Sequence, residues 1–175
     1  MSEQELTWLA EHASRSHLIV EIGSWRGRST RVLADHTLGL VFAVDHWLDS
    51  AVGFPDWWTA RESQDKYRQP NWLWDEFHAN LGDCLGSRVM PLRMSSVEAA
   101  RLLSSQMLTF DMIFIDGDHS FESVQQDIQA WQPLLRPGGV LAGHDFGDPR
   151  CPDVARAVQG LVSKVALTGT IWQAA

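Results

Sequence analysis

Short apolar runs, each closed by glycine or a charged residue, alternate along this chain with segments of helical period. The runs are Leu18–Gly23, Leu40–Asp45, Val89–Arg93, Met112–Asp116 and Val140–Gly143. Strands buried on both faces of a parallel sheet read this way, as near-continuous apolar stretches. Between them lie helical candidates at 29–36, 72–81, 97–105, 121–132 and 153–163. A first helix over about 3–14 is expected from the stripe Leu6, Leu9, Ala10 and Ala13. The helix near 121 presents Val124, Ile128 and Trp131 on one face and stops at Pro133. The helix near 153 takes Asp153 as its N-cap and repeats Val154, Val158 and Leu161. Lys164–Leu167 and Thr170–Gln173, joined through Thr168-Gly169, read as a hairpin. Together these predict an α/β fold: a doubly wound, mostly parallel seven-stranded sheet, helices on both faces, and a C-terminal antiparallel hairpin. The chain has 175 residues, no internal repeat and no long linker, so 1–175 reads as a single domain.

Charge and cysteine content narrow the function classes. With 14 Lys and Arg against 22 Asp and Glu, the net charge of −8 speaks against nucleic-acid or anionic-membrane partners. Two cysteines, Cys84 and Cys151, give no disulfide framework and suit a reducing cytoplasm. The polar N-terminus does not read as a signal peptide, and no apolar run reaches the roughly 18 residues of a membrane span. Nine tryptophans are an excess, and five of them fall between Trp47 and Trp74.

The first strand runs into Glu21-Ile22-Gly23-Ser24-Trp25-Arg26-Gly27-Arg28-Ser29-Thr30. Glycines at 23 and 27 let the backbone approach a ligand, and Ser29 or Thr30 is placed to cap the next helix. The spacing is G-x-x-x-G rather than the dinucleotide pattern G-x-G-x-x-G. A tight strand–helix turn would explain it equally well. Asp45 ends the second strand about 20 residues further on, where an acid accepts ribose hydroxyls. A solvated strand end is the plainer account of Asp45 alone; with the glycine turn, a nucleoside cofactor is favoured.

Asp116, Asp118, His119, His144 and Asp145 follow the fourth and fifth expected strands. Adjacent strands lie roughly 4.8 Å apart, so these side chains converge if both strands end level. Carboxylates with imidazole suit a hard divalent cation. The plainer alternative is that Asp116 and Asp118 cap the helix near Ser120 while His144 and Asp145 form a polar turn.

On these residues the chain resembles the class I S-adenosylmethionine-dependent methyltransferases. Glu21-x-Gly23-x-x-x-Gly27 is similar to their first motif and Asp45 to their ribose acid. Two longer stretches resemble the branch of macrocin and sugar O-methyltransferases: Phe114-Ile115-Asp116-Gly117-Asp118-His119-Ser120-Phe121-Glu122, and the run from Leu134 to Phe146 through Arg136-Pro137-Gly138-Gly139 and His144-Asp145. The resemblance implies a Rossmann-like methyltransferase fold that binds S-adenosylmethionine through Glu21, Gly23, Ser24, Trp25, Gly27 and Ser29. Gly23, Ser24 and Gly27 would line its methionine part, Asp45 would hold the ribose, and His46 and Trp47 would lie beside the adenine. Ser95 and Ser96 are also implied as adenine contacts, although Ser95-Ser96-Val97-Glu98 reads equally as a capping box. Asp116 is expected to face both the cofactor and a metal.

The expected reaction is transfer of a methyl group to a hydroxyl of a small molecule, assisted by Mg²⁺ or a similar ion. Asp116, His144 and Asp145 are the expected metal ligands and His119 the catalytic base. The segment 47–74, holding Trp47, Trp57, Trp58, Tyr67, Trp72 and Trp74, is expected to form an aromatic lid over the acceptor. In the competing account Trp72, Leu73 and Phe77 pack a helix on the sheet, and other rings form the contact of a homo-oligomer. Only 17 residues precede Leu18, so the N-terminal domain of some sugar enzymes has no expected counterpart. The His144-Asp145 pair also differs from the Asp-Asn pair of catechol-type enzymes. Two rival classes remain: a non-catalytic cofactor-binding or assembly subunit, which has no need of Asp116, His119 and Asp145, and a metal-dependent hydrolase.

Overall fold

The computed structural model describes residues 1–48 and 71–175. The elements run α1 (Glu3–Ala13), β1 (Leu18–Ile22), α2 (Arg28–His36), β2 (Leu40–Asp45), α3 (Trp72–Leu81), β3 (Val89–Arg93) and α4 (Ser96–Ser105). Then come β4 (Phe110–Ile115), α5 (Phe121–Trp131), β5 (Leu135–Gly143), α6 (Pro152–Leu161), β6 (Val165–Thr168) and β7 (Ile171–Ala174). The strands form one seven-stranded sheet in the order β3-β2-β1-β4-β5-β7-β6. The first five are parallel; β7 runs antiparallel to both β5 and β6. This is the expected doubly wound sheet with its terminal hairpin.

Alternation along each strand splits the core into two layers. Ile19, Val41, Met112 and Phe114 face Leu9, Leu33, Phe77 and Leu81 from α1, α2 and α3. Val20, Val44, Ile113 and Leu141 face Leu103, Ile128, Trp131 and Val158 from α4, α5 and α6. With both faces covered, the central strands have no polar side to show, which is why they read as unbroken apolar runs. No helix among the described residues is long and apolar enough to cross a membrane.

Several boundaries and caps differ from expectation. β4 begins at Phe110 and β5 at Leu135, with a register shift between the pairs Phe110/Leu135 and Met112/Val140. The intervening Arg136-Pro137-Gly138-Gly139 stretch lacks the apolar pattern of a buried strand. The N-cap of α6 is Cys151, with Pro152 in the first turn; Asp153 sits inside the helix, paired with Arg156. α2 is capped not by Ser29 or Thr30 but by Gly27 in the left-handed conformation, φ +84°. Both hydroxyl residues are buried instead. α5 gives way at Gln132 to a 3₁₀ turn that carries Pro133. In α1 the buried face is Glu5, Trp8, Leu9 and Ala13, rotated from the expected stripe toward Glu5.

Candidate active site

β1, β4 and β5 end level. Ile22 is in register with Ile115, and Ile115 with Gly143. The next residues of the three strands, Gly23, Asp116 and His144, therefore emerge side by side. Backbone hydrogen bonds continue past the strand ends, from the Asp116 amide to the Ile22 carbonyl (2.8 Å) and from the His144 amide to that of Ile115 (3.0 Å). The condition for the Asp and His residues to converge is met.

Around the glycine turn, Gly23 (φ +86°) packs so tightly on β4 that a Cβ there would lie 2.2 Å from the Asp116 carbonyl oxygen. Glu21 is fully buried beneath this turn. Its Oε2 accepts from the Ser24 hydroxyl at 2.7 Å and from the Thr30 hydroxyl. Burial raises its pKa, and the hydroxyls of Ser29, Thr30 and Ser24 offset that only in part. Among the described residues its Oε1 is buried with no hydrogen-bond partner.

Asp45 ties two loops together. One oxygen accepts the Trp25 amide and the other the Trp47 amide, each at 2.8 Å. The Trp47 indole donates back to the Trp25 carbonyl at 2.7 Å. Its ring is fully buried, 4.7 Å from Trp74 and 4.5 Å from Phe77 between centroids. Trp47 is thus packed in the core of the described structure. Leu73 and Phe77 pack in the same layer, as the competing account of this segment held. Trp57, Trp58 and Tyr67 of the expected lid lie outside the described residues, while Trp72 and Trp74 are half-buried against the same core layer. His46 is exposed, its Nδ1 accepting the Leu48 amide at 2.9 Å.

Ser95 caps α4 in a full capping box with Glu98. The Ser96 hydroxyl donates to Asp127 and accepts the Trp131 indole N–H at 2.8 Å. Both hydroxyls expected at the adenine rim are therefore occupied within the protein.

At the ends of β4 and β5 the polar groups cluster. His119 Nε2 lies 2.7 Å from Asp145 Oδ2. This hydrogen bond raises the His119 pKa against the opposing effect of burial. His144, with 10% of its side chain exposed, has Nδ1 at 3.1 Å from Asp145 Oδ1 and 3.6 Å from Asp116 Oδ1. Burial alone would lower its pKa; the hydrogen bond to Asp145 and the charges of Asp116, Asp145 and Glu5 carry it up to about 9. Asp116 is pushed up to about 7, first by burial and then by Asp145, with His144 opposing both. Asp145 is held well below the usual carboxylate range because its two imidazole partners overcome burial. Asp118 accepts the Ser120 amide at 2.7 Å and Ser120 is the N-cap of α5, so Asp118 helps to order this turn while Asp116 does not. Asp116, His144 and Asp145 offer ligand atoms all within 4.8 Å of one another, a spacing one cation can bridge. Carboxylate oxygens at Asp116 and Asp145 suit a hard divalent ion. His144 is the weaker member of the set, because Nδ1 must give up its hydrogen bond to Asp145 before it can ligate.

Glu5 and Thr170 were not expected here. Thr170 Oγ1 is 3.0 Å from His144 Nε2, and Glu5 Oε1 is 3.4 Å from the same nitrogen. Cys151 also approaches His119 and Asp145, its thiol pushed up to about 11 by burial and by Asp145. Only the pairing of residues far apart in the chain brings these three in, and no local motif marks them.

A family model described as a methyltransferase domain matches residues 20–146. The chain belongs to the methyltransferase-domain family. The expected likeness to class I S-adenosylmethionine-dependent methyltransferases is borne out, and the matched stretch runs from the glycine turn through His144-Asp145. Among solved structures, this chain is similar to a Bacillus cereus O-methyltransferase in complex with SAH (TM-score 0.69, 19% identity, 99% of this chain and 81% of that one). It is also similar to CalS11, a calicheamicin methyltransferase (TM-score 0.66, 15% identity, 97% of this chain and 76% of that one). At these identities the likeness establishes the shared fold. Two curated relatives are uncharacterized proteins. One, from Sinorhizobium fredii, is 28% identical over 79% of this chain and 14% of its own length. The other, from Acanthamoeba polyphaga mimivirus, is 30% identical over 46% of this chain and 38% of its own length. The chain thus spans well under half of either curated relative.

Proposed function

We propose that this methyltransferase transfers a methyl group from S-adenosylmethionine to a hydroxyl of a small molecule, with a divalent cation assisting. The observation that carries this reading is the cluster at the level strand ends, where His119 and Asp145 are hydrogen-bonded at 2.7 Å beside Asp116. A cofactor-binding or assembly subunit has no use for such a cluster. Membership of a methyltransferase family favours transfer over hydrolysis.

S-adenosylmethionine would bind along the ends of β1, β2 and β4 and supply an electrophilic sulfonium methyl. The partnerless Oε1 of Glu21 fits a ligand that carries an ammonium group, as its methionine part does. Asp45 has both oxygens engaged by amides, yet a carboxylate offers about four lone-pair sites and keeps capacity for ribose hydroxyls. The turn at Ser95 and Ser96 and the loop at His46 remain the adenine side of this reading.

Mg²⁺ or a similar ion held by Asp116 and Asp145, with His144 as a third group, would lower the pKa of the acceptor hydroxyl. His119 takes the hydroxyl proton, and Asp145 orients its ring for that task. Excluding water and aligning the oxygen with the methyl group is then the main work of the protein. The segment 47–74 is proposed, through Trp57, Trp58 and Tyr67, to cover a flat or apolar acceptor.

The test is a screen of hydroxylated small molecules with methyl-labelled S-adenosylmethionine, run with Mg²⁺ and with excess chelator. Transfer to an acceptor hydroxyl that falls sharply in chelator is the expected result. Undiminished turnover in chelator would remove the cation from the reading, and labelling of no hydroxylated acceptor would remove the acceptor class.

A further inference from the structure

α1 delivers a carboxylate to the back of the site. Glu5 is buried, with 6% of its side chain exposed, on a helix whose other buried residues are Trp8, Leu9 and Ala13. Its Oε2 accepts the Ser2 amide at 2.6 Å and so completes the capping box of α1. Oε1 serves a different end. It accepts both the amide (2.8 Å) and the hydroxyl (2.9 Å) of Thr170, in the turn between β6 and β7.

Thr170 has one hydroxyl proton. With that proton given to Glu5, its oxygen accepts from His144 Nε2, 3.0 Å away. The opposite nitrogen of the ring faces Asp145 Oδ1 at 3.1 Å. The same turn grips the neighbouring backbone, because the Thr170 carbonyl accepts the Phe146 amide at 2.9 Å. Between these anchors Asp145 is held at φ +62°. A left-handed backbone is disfavoured for an aspartate and persists where its surroundings over-determine it.

We propose that Glu5 is a positioning residue for methyl transfer. Through Thr170 it locks the His144 ring, so that Nδ1 stays aimed between Asp145 Oδ1 and Asp116 Oδ1 whether it bonds Asp145 or ligates a cation beside it, and Asp145, against which His119 is aligned, keeps its place. This rests on the reading of His119 and Asp145 as reaction machinery. Misplacement of a reacting group by 1 Å can cost about 100-fold in rate, so a loosened ring acts on kcat and leaves cofactor affinity alone.

Four variants test the lock: Thr170→Val, Glu5→Ala, Glu5→Gln and Leu9→Ala. Leu9→Ala weakens the packing of α1 without touching the carboxylate. Two readouts are needed: kcat and KM for transfer, and the imidazole N–H resonances of ¹⁵N-histidine-labelled protein at one fixed pH. Thr170→Val and Glu5→Ala are expected to lower kcat by about 10- to 100-fold with KM for S-adenosylmethionine unchanged. They should also lose the slowly exchanging Nε2–H signal of His144. Glu5→Gln, whose amide oxygen still accepts from Thr170, restores most of both. Leu9→Ala keeps both while lowering thermal stability. The lock is overturned if the ring signal persists in Thr170→Val and Glu5→Ala, or if their kcat matches that of Leu9→Ala. A wild-type protein that transfers no methyl group defeats the functional reading. The ring signal then judges the lock alone, supporting it if lost in those two variants and overturning it if kept.

Discussion

A Cβ on Gly23 has no place to go: the atom 2.2 Å away is the backbone carbonyl oxygen of Asp116, and φ is +86°. Gly23→Ala is therefore expected to cost about 3 kcal/mol or more, as strain at a special backbone conformation does. A chemical denaturation midpoint reads that loss. The same residue line carries the chemistry. Because Asp145 raises the pKa of His119, the alkaline rise of kcat/KM should lie above the ordinary histidine value of ~6.5. A base works when neutral, so activity grows as pH passes upward through the raised pKa. Asp145→Asn should move that rise toward acid pH and lower its plateau. His119→Ala should cut kcat by about 10²- to 10⁴-fold while leaving cofactor binding intact. A pH–rate profile of wild type and both variants checks these outcomes, and a fully active His119→Ala removes the base assignment.

At the scale of elements, α4 and α5 meet through a buried acid. Asp127 accepts from Ser96, whose oxygen also takes the Trp131 indole, and burial pushes the Asp127 carboxyl up to about 6. A carboxyl raised above its ordinary ~3.9 binds its proton more tightly when folded. It stabilises at acid pH, and that contribution is lost as pH rises through about 6. Asp127→Asn keeps the acceptor for Ser96 and removes the titration. Its melting temperature should gain on wild type between about pH 4 and pH 7, and a constant difference would contradict this. Ser95 with Glu98 was readable as a cap because a capping box is local. The central strands β1, β2 and β4 were readable because they are largely buried on both faces. The caps of α2 and α6 were not, since Thr30 is drawn inward by Glu21 and Pro152 takes the first turn of α6 from Asp153. The buried face of α1 was misread for a related reason: Glu5 is polar, and its partner Thr170 lies 165 residues away.

For the whole molecule, the sheet order brings Gly23, Asp116 and His144 together at the C-terminal ends of three neighbouring strands, and the two longest motifs of the chain meet there. Their convergence was foreseeable from residue type and strand ends. The brace behind His144 was not, because it joins the first helix to the final hairpin. Trp47 marks the same divide: the resemblance implied a place beside the adenine, while its burial among Trp74 and Phe77 depends on a helix that starts at Trp72. The S-adenosylmethionine site is proposed at the ends of β1, β2 and β4, with Asp45 on the ribose. Titration calorimetry of S-adenosylhomocysteine into the wild-type chain and into Asp45→Ala measures it directly. Saturable one-to-one binding by wild type, weakened at least about tenfold (~1.4 kcal/mol) in the variant, is the result predicted; no heat of binding to a folded wild-type chain would contradict it.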